Sequence, residues 1–151
     1  MKKVLVTGAT GFIGIEVSRQ LSARGLRPRL MVRRPVRGLM IRNLGADIMR
    51  VAIRSLESLG RILKGVDTVI HLGARAPFEA YSKLYPSIVT GSLNLMKLAI
   101  EAGVDTFVYG GSLMVYGDSI DPIDQNTYSS PVSGYGQAKL EAELRLEKMA
   151  L

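Results

Sequence analysis

Tyr135 and Lys139 stand four residues apart, in Tyr135-Gly136-Gln137-Ala138-Lys139. On a helix that spacing puts both side chains on one face, one turn apart. A phenol with its usual pKa of about 10 is a poor base at neutral pH. An ammonium group beside it favours the phenolate and lowers that pKa. Such a pair can exchange a proton with a carbonyl or alcohol oxygen. Ser112, in Gly111-Ser112, follows the fifth apolar run of the chain. Its hydroxyl can donate to the same oxygen as charge develops there. The competing reading is a turn serine bonded to its own backbone.

A second chemistry lies near the start. Gly8, Gly11 and Gly14 are spaced three apart between a short apolar run and an amphipathic stretch. Glycine lets the chain turn tightly and lets a pyrophosphate approach the backbone. The helix that follows offers free N–H groups and a positive dipole to the phosphates. A strand before and a helix after are the context this motif requires. Thr10, Phe12 and Ile13 belong to the same candidate loop. Hydride transfer to or from a bound nicotinamide is then the reaction that the tyrosine–lysine pair would serve, and Lys139 can also hold the nicotinamide ribose. The second apolar run ends in Val32-Arg33-Arg34-Pro35, with no Asp or Glu between Glu16 and Asp47. An acidic residue there would hold ribose hydroxyls. Arg33 and Arg34 instead suit a ribose 2′-phosphate. The expected cofactor is therefore NADP(H), with NAD as the alternative. His71 is the sole histidine and there is no cysteine. It is read as a structural residue, and no metal site is expected.

Alternating strands and helices must position these groups. Val4–Thr7 reads as the first strand, and Ile13, Val17 and Leu21 as one stripe of the helix after it, which Gly25 ends. Arg29–Val32 is a second strand, residues 38–44 a short helix and Asp47–Ile53 a third strand. Leu56, Leu59, Ile62 and Leu63 mark another helix. Asp67–Leu72 is nearly apolar at its centre, the pattern of a strand buried on both faces of a parallel sheet. A long helix is expected over Lys83–Ala102, with Ile88, Leu95, Leu98 and Ala99 inward. Thr106–Tyr109 is a fifth strand, 113–133 is rich in loops, and 135–151 is helical with Leu140 and Leu144 four apart. The order predicts an α/β fold, a doubly wound parallel sheet. Ligands of such sheets lie beyond the carboxyl ends of the strands, where every motif above falls.

Composition agrees. The chain has 151 residues, 47% hydrophobic and 22% charged, which excludes a disordered chain and, without cysteine, a disulfide-stapled module. No run approaches a membrane span, and the apolar run at the start is too short for a signal peptide. A cytoplasmic protein without a membrane partner is expected. Residues 19–64 hold 12 basic and two acidic residues, a net +10, against eight basic and 11 acidic in the remainder, a net −3. That asymmetry suits an anionic partner such as a nucleotide phosphate, or else a solvated basic face. No recognition-helix or aromatic-basic motif accompanies it, so nucleic acid is not the expected partner.

Four segments together resemble the extended type of the short-chain dehydrogenase/reductase superfamily, the NAD-dependent epimerase/dehydratase and dihydroflavonol-reductase-like group. They are Val6-Thr7-Gly8-Ala9-Thr10-Gly11-Phe12-Ile13-Gly14, Gly65 to Ala74, Phe107 to Ser112 running into Val115-Tyr116-Gly117, and Ser133 to Lys139. The resemblance covers the whole chain and implies an NAD(P)-binding Rossmann domain. It implies Ser112, Tyr135 and Lys139 as the catalytic set and Gly73 and Ala74 along the cofactor, and Leu72 and Ile53 join them as candidates at neighbouring strand ends. Tyr135 and Lys139 also count among the cofactor contacts. The Arg33-Arg34 ending is similar to NADP-using reductases. Three features depart from the family. Val51-Ala52-Ile53 stands where a Gly-Asp-Leu is usual, Ile88 where an Asn precedes Val89-Thr90-Gly91-Ser92, and members run to about twice this length. The chain is thus expected to be an amino-terminal portion without the carboxyl-terminal substrate-binding part. The expected activity is NADP(H)-dependent reduction of a carbonyl or oxidation of an alcohol of a small molecule. The alternatives are a nucleotide-sugar epimerase or dehydratase using NAD, and a non-catalytic dinucleotide-binding module. A homodimer is implied by resemblance.

Overall fold

The computed structural model describes residues 2–33, 41–75, 78–118 and 122–150. They form two compact units, Met1–Gly73 with Asn94–Gly110, and Ala74–Leu93 with Gly111–Leu151.

The first unit is built on five parallel strands, β1 (Val4–Thr7), β2 (Arg29–Val32), β3 (Asp47–Arg50), β4 (Thr68–His71) and β5 (Thr106–Tyr109), in the order β3-β2-β1-β4-β5. Between them run α1 (Phe12–Ala23), α2 (Leu56–Leu63) and α4 (Thr90–Glu101), the last crossing from the second unit. Side chains of a strand alternate between faces, and here both faces are covered. Leu5, Met31 and Val69 meet Leu59, Ile62 and Leu63 of α2 and Leu95 and Ala99 of α4 on one side. Val4, Val6, Leu30 and Val32 meet Ile15, Val17 and Leu21 of α1 on the other. Leu5 and Leu30 are fully buried, and each such side chain contributes about 1.5–3 kcal/mol. This is the expected doubly wound sheet. Its order reverses between β1 and β4, where Thr7 lies in register with His71.

Several elements differ from the sequence reading. The third strand stops at Arg50, so Val51–Ile53 lie beyond it. Of the short helix expected over 38–44, residues 41–44 form a 3-10 turn and the rest lies outside the described residues. The long helix expected over 83–102 is two helices, α3 (Tyr81–Ile88) and α4, meeting at Val89. Pro86 lies inside α3. Having no N–H, it removes one rung of the helix three residues before the break. The contact face of α1 is Gly14 and Ser18 rather than Ile13, which is 63% exposed. Ser18 Oγ donates to Gly14 O at 2.6 Å.

Charge in the basic segment is partly structural. Arg29 is buried at the start of β2 and donates through Nη1 to Ile62 O (2.5 Å) and Lys64 O (3.0 Å), with Nε on Asp47 Oδ2 at 3.3 Å. It thereby satisfies carbonyls left open at the end of α2. Arg19 pairs with Glu16 and Arg61 with Glu57 within their own helices.

The second unit holds α3, the 3-10 turn Leu113–Val115 and α5 (Gly134–Ala150). The buried face of α5 is Gly136, Ala138, Lys139, Ala142 and Leu146, whereas Leu144 is half exposed. Gly136 on this face lies against the backbone of Met114, with no room for a Cβ.

Candidate functional site

In the first unit the glycine loop is a cradle without room for side chains. Gly8 has φ +69°, in the left-handed region that glycine adopts freely. A Cβ there would lie 2.7 Å from Gly73 N and from Leu72 C. One on Gly14 would lie 2.1 Å from Gly8 O. Gly11 N donates to Gly8 O at 2.9 Å, closing the turn. Gly11 caps α1 with extended backbone, no side chain caps the helix, and no acid stands in its first turn. The N-terminal N–H groups and the positive end of the dipole are thus left for an outside anion. Phe12 and Ile13 project outward, Phe12 95% exposed, and Thr10 is half-buried. These features fit a dinucleotide pyrophosphate.

Thr7 and His71 hold the cradle. Thr7 Oγ1 accepts from Gly73 N at 3.1 Å and pairs with His71 Nδ1 at 2.5 Å. With its oxygen accepting from Gly73, the Thr7 hydroxyl is free to donate to the ring nitrogen. The buried imidazole lies 6.1 Å from the Phe107 ring and 5.7 Å from that of Tyr109. The link of His71 to the loop through Thr7 carried no sequence signal beyond the two residue types. Among the described residues no cluster of His, Cys, Asp or Glu could hold a metal ion.

The remaining nucleotide candidates are spread over the strand ends. Arg33 is exposed one residue past β2, and Arg34 lies outside the described residues. Ile53 is half-buried against the core cluster of Leu59 and Ile62. Leu72 packs on the core of the α1 side, Gly73 is beside Gly8, and Ala74 opens the second unit.

The second unit brings Ser112, Tyr135 and Lys139 onto elements in mutual contact. Ser112 caps the 3-10 turn, and its Oγ accepts from Met114 N at 3.2 Å. That is the turn bond considered from sequence, and because it uses a lone pair the hydroxyl proton is left to donate. Met114 O lies against Gly136, where a Cβ would come within 2.3 Å. The turn that Ser112 caps therefore packs directly on the helix turn that carries Tyr135. Ser133 caps α5, its Oγ accepting from Gly136 N at 3.0 Å. Lys139 is 3% exposed, a depth at which lysine is rare unless paired. Burial lowers its pKa from 10.5 to about 8, with Glu143 one turn on acting in the opposite direction. Burial raises that of Tyr135. This corrects the expected lowering of the phenol: in the chain by itself desolvation, not the neighbouring ammonium, dominates.

A glycine cradle at the switch point of a doubly wound sheet and a tyrosine–lysine helix define a dinucleotide-binding protein of the short-chain dehydrogenase/reductase kind. Over residues 4–150 the chain matches the model of the NAD dependent epimerase/dehydratase family, and it belongs to that family. It is 29% identical to the UDP-glucose 4-epimerase of Vibrio cholerae over 161 residues, covering 99% of this chain and 47% of that one. It is 31% identical to a putative dihydroflavonol 4-reductase of Synechocystis, covering 91% of this chain and 42% of that one. Among solved structures it is similar to a short-chain dehydrogenase/reductase superfamily protein of Agrobacterium tumefaciens with bound NAD (28% identity, TM-score 0.86), covering 97% of this chain and 44% of that one. The chain spans about half the length of the relatives it matches. Among the described residues no helix is long and apolar enough to cross a membrane.

Proposed function

We propose that this chain is the nucleotide-binding and proton-transfer portion of an NAD-dependent enzyme that acts on a nucleotide sugar, as an epimerase or dehydratase. The observation that carries this reading is the nearly complete burial of Lys139 one helical turn from Tyr135, beside the turn that Ser112 caps. The family match and the likeness to a UDP-glucose 4-epimerase support the substrate class, and the likeness to an NAD-bound structure supports the cofactor.

The glycine cradle and the open N-terminus of α1 would hold the pyrophosphate. When bound, the nicotinamide supplies hydride acceptance and donation. Ser112 donates a hydrogen bond to the substrate oxygen that changes between alcohol and carbonyl. Tyr135 takes the proton from that oxygen or returns it. With its pKa raised above 10, Tyr135 rests as the neutral phenol at pH 7, ready to give a proton. With a pKa of about 8, Lys139 is cationic in most molecules at pH 7, and its charge offsets the cost of a phenolate when the proton moves the other way.

One observation favours a second reading, an NADPH-dependent carbonyl reductase: Arg33 is exposed directly after β2, where an acid would select NAD. The likeness to a putative dihydroflavonol 4-reductase points the same way. A single panel separates the two. The protein is incubated with UDP-sugars and NAD⁺, and with aromatic and aliphatic ketones and NADPH. Conversion of a UDP-sugar that Tyr135→Phe abolishes, with cofactor binding retained, supports the first reading. Ketone reduction alone supports the second, and cofactor binding without turnover in either arm overturns both.

A further inference from the structure

We propose that Tyr81 is a positioning residue, a strut whose contact with Gly134 and hydrogen bond to Glu141 set where Tyr135 and Lys139 stand. This inference rests on the proposed roles of those two residues. Tyr81 is the first residue of α3. Its backbone lies against the first residue of α5, for a Cβ on Gly134 would come 2.8 Å from Tyr81 N and 3.2 Å from Tyr81 Cα and Cβ. Its hydroxyl then reaches along the helix and donates to Glu141 Oε2. Gly134 and Glu141 are seven residues apart, which is two turns. Tyr135 and Lys139 both lie within that span. One residue therefore meets both ends of the segment that carries the proposed acid and its partner cation, through its backbone at Gly134 and its hydroxyl at Glu141.

The rest of the contact reinforces this placement. Glu141 Oε1 accepts from Arg145 Nη1 at 3.1 Å, and the same nitrogen donates to Tyr85 Oη at 2.9 Å. The Tyr81 and Tyr85 rings meet edge to face at 5.7 Å. The other side of α5 is held by Gly136 against Met114 O. A helix gripped on two sides by backbone contacts has little freedom to slide, and a misplacement of about 1 Å at reacting groups can cost about 10²-fold in rate.

Lys139 reports the helix position without any turnover, because its pKa is set mainly by how deeply it is buried. Glu143 is the charge that acts on it. Within two turns of it α5 also carries Tyr135, Glu141 and Arg145; α3, packed on α5, carries Tyr81, Lys83 and Tyr85, and the 3-10 turn Leu113–Val115 carries no titratable group. Tyr81 itself is held up to about 12, first by its bond to Glu141. It stays protonated while the lysine titrates, so Tyr81→Phe changes no charge and keeps the ring.

The test is an NMR pH titration of lysine side chains in the unliganded protein, with Lys139 assigned by its loss in Lys139→Met. One lysine is expected to titrate near 8 in the parent, well below the ordinary lysine value, because it is buried. In Tyr81→Phe that midpoint moves up towards 10.5, by about half a unit or more, as the helix loosens and water reaches the ammonium. Tyr85→Phe, which loses only the bond to Arg145 beyond Lys139, leaves it in place. An unmoved midpoint in Tyr81→Phe, or an equal shift in Tyr85→Phe, overturns the strut. An unmoved lysine in a protein that still binds cofactor and turns over refutes the strut alone. Failure to bind cofactor or turn over, with the lysine shift observed, refutes the proposed function and leaves the strut standing.

Discussion

Replacing Gly14 by alanine tests whether the cradle is as tight as its geometry indicates. The added Cβ would meet Gly8 O at 2.1 Å, Gly8 C at 2.8 Å and the Ala9 Cα at 2.9 Å. All three are backbone atoms, so no rotamer change relieves the contact. Restoring an ordinary separation of 3.4 Å requires α1 and the loop to part by about 1.3 Å. Alanine in a helix gains about 1 kcal/mol over glycine. Overpacking costs about 1–3 kcal/mol and more where the neighbours are rigid, so a net loss of about 2 kcal/mol is expected. Gly60, within α2, has nothing within 4 Å of a Cβ, so Gly60→Ala shows the helix gain alone, about 1 kcal/mol. Guanidinium unfolding of the three proteins reads this gap of about 3 kcal/mol. Nucleotide titration of the same proteins should show Gly14→Ala weakened by more than about tenfold and Gly60→Ala unchanged. A Gly14→Ala protein as stable as Gly60→Ala would refute the close approach.

Two further outcomes follow from buried charge. Lys139 has its folded pKa pulled below the unfolded value, so the unfolded chain binds more protons between about pH 8 and 10.5, and stability attributable to this group rises with pH across that window. Lys139→Met should therefore flatten the dependence of stability on pH between about pH 8 and 10, measured by denaturant midpoints at each pH; an unchanged pH slope would contradict the burial. Arg29→Leu leaves Ile62 O and Lys64 O without their donor and should cost about 2–3 kcal/mol in the same assay, whereas a near-neutral result would show that Arg29 is a surface charge.

The sheet and the cradle were legible because their signals are local. Apolar runs ending in glycine or Arg-Arg predict strands, and a glycine at each turn of the loop predicts a backbone approach. The spacing of Tyr135 and Lys139 fixed their shared face but not the depth of Lys139, which depends on packing against a distant segment. Of the stripe read at Ile13, Val17 and Leu21, the last two pack on the sheet core while Ile13 is exposed, and the closest contact of α1, Gly14 on Gly8 O, has no hydrophobic pattern. Leu144 misled on α5, where it is exposed and Gly136, Ala138 and Ala142 are among the buried residues. Apolar periodicity runs through Ile88, Leu95, Leu98 and Ala99 on both sides of the break at Val89, which Pro86 within α3 precedes by three residues. The bond between Tyr81 and Glu141 spans 60 residues, beyond any periodicity. Arg29 was counted as part of a free basic face, and only the end of α2 shows what it satisfies.

The central claim is that the cradle of Gly8, Gly11 and Gly14 binds a nicotinamide dinucleotide. The most direct test is parallel titration with NADH and NADPH, followed by nicotinamide fluorescence, in the parent, in Gly14→Ala and in the Arg33→Ala/Arg34→Ala double variant. Saturable binding that Gly14→Ala weakens by more than about tenfold is the expected result, with the double variant showing whether the arginines discriminate the 2′-phosphate. Binding of neither nucleotide by the parent, or binding that Gly14→Ala leaves unchanged, would contradict it.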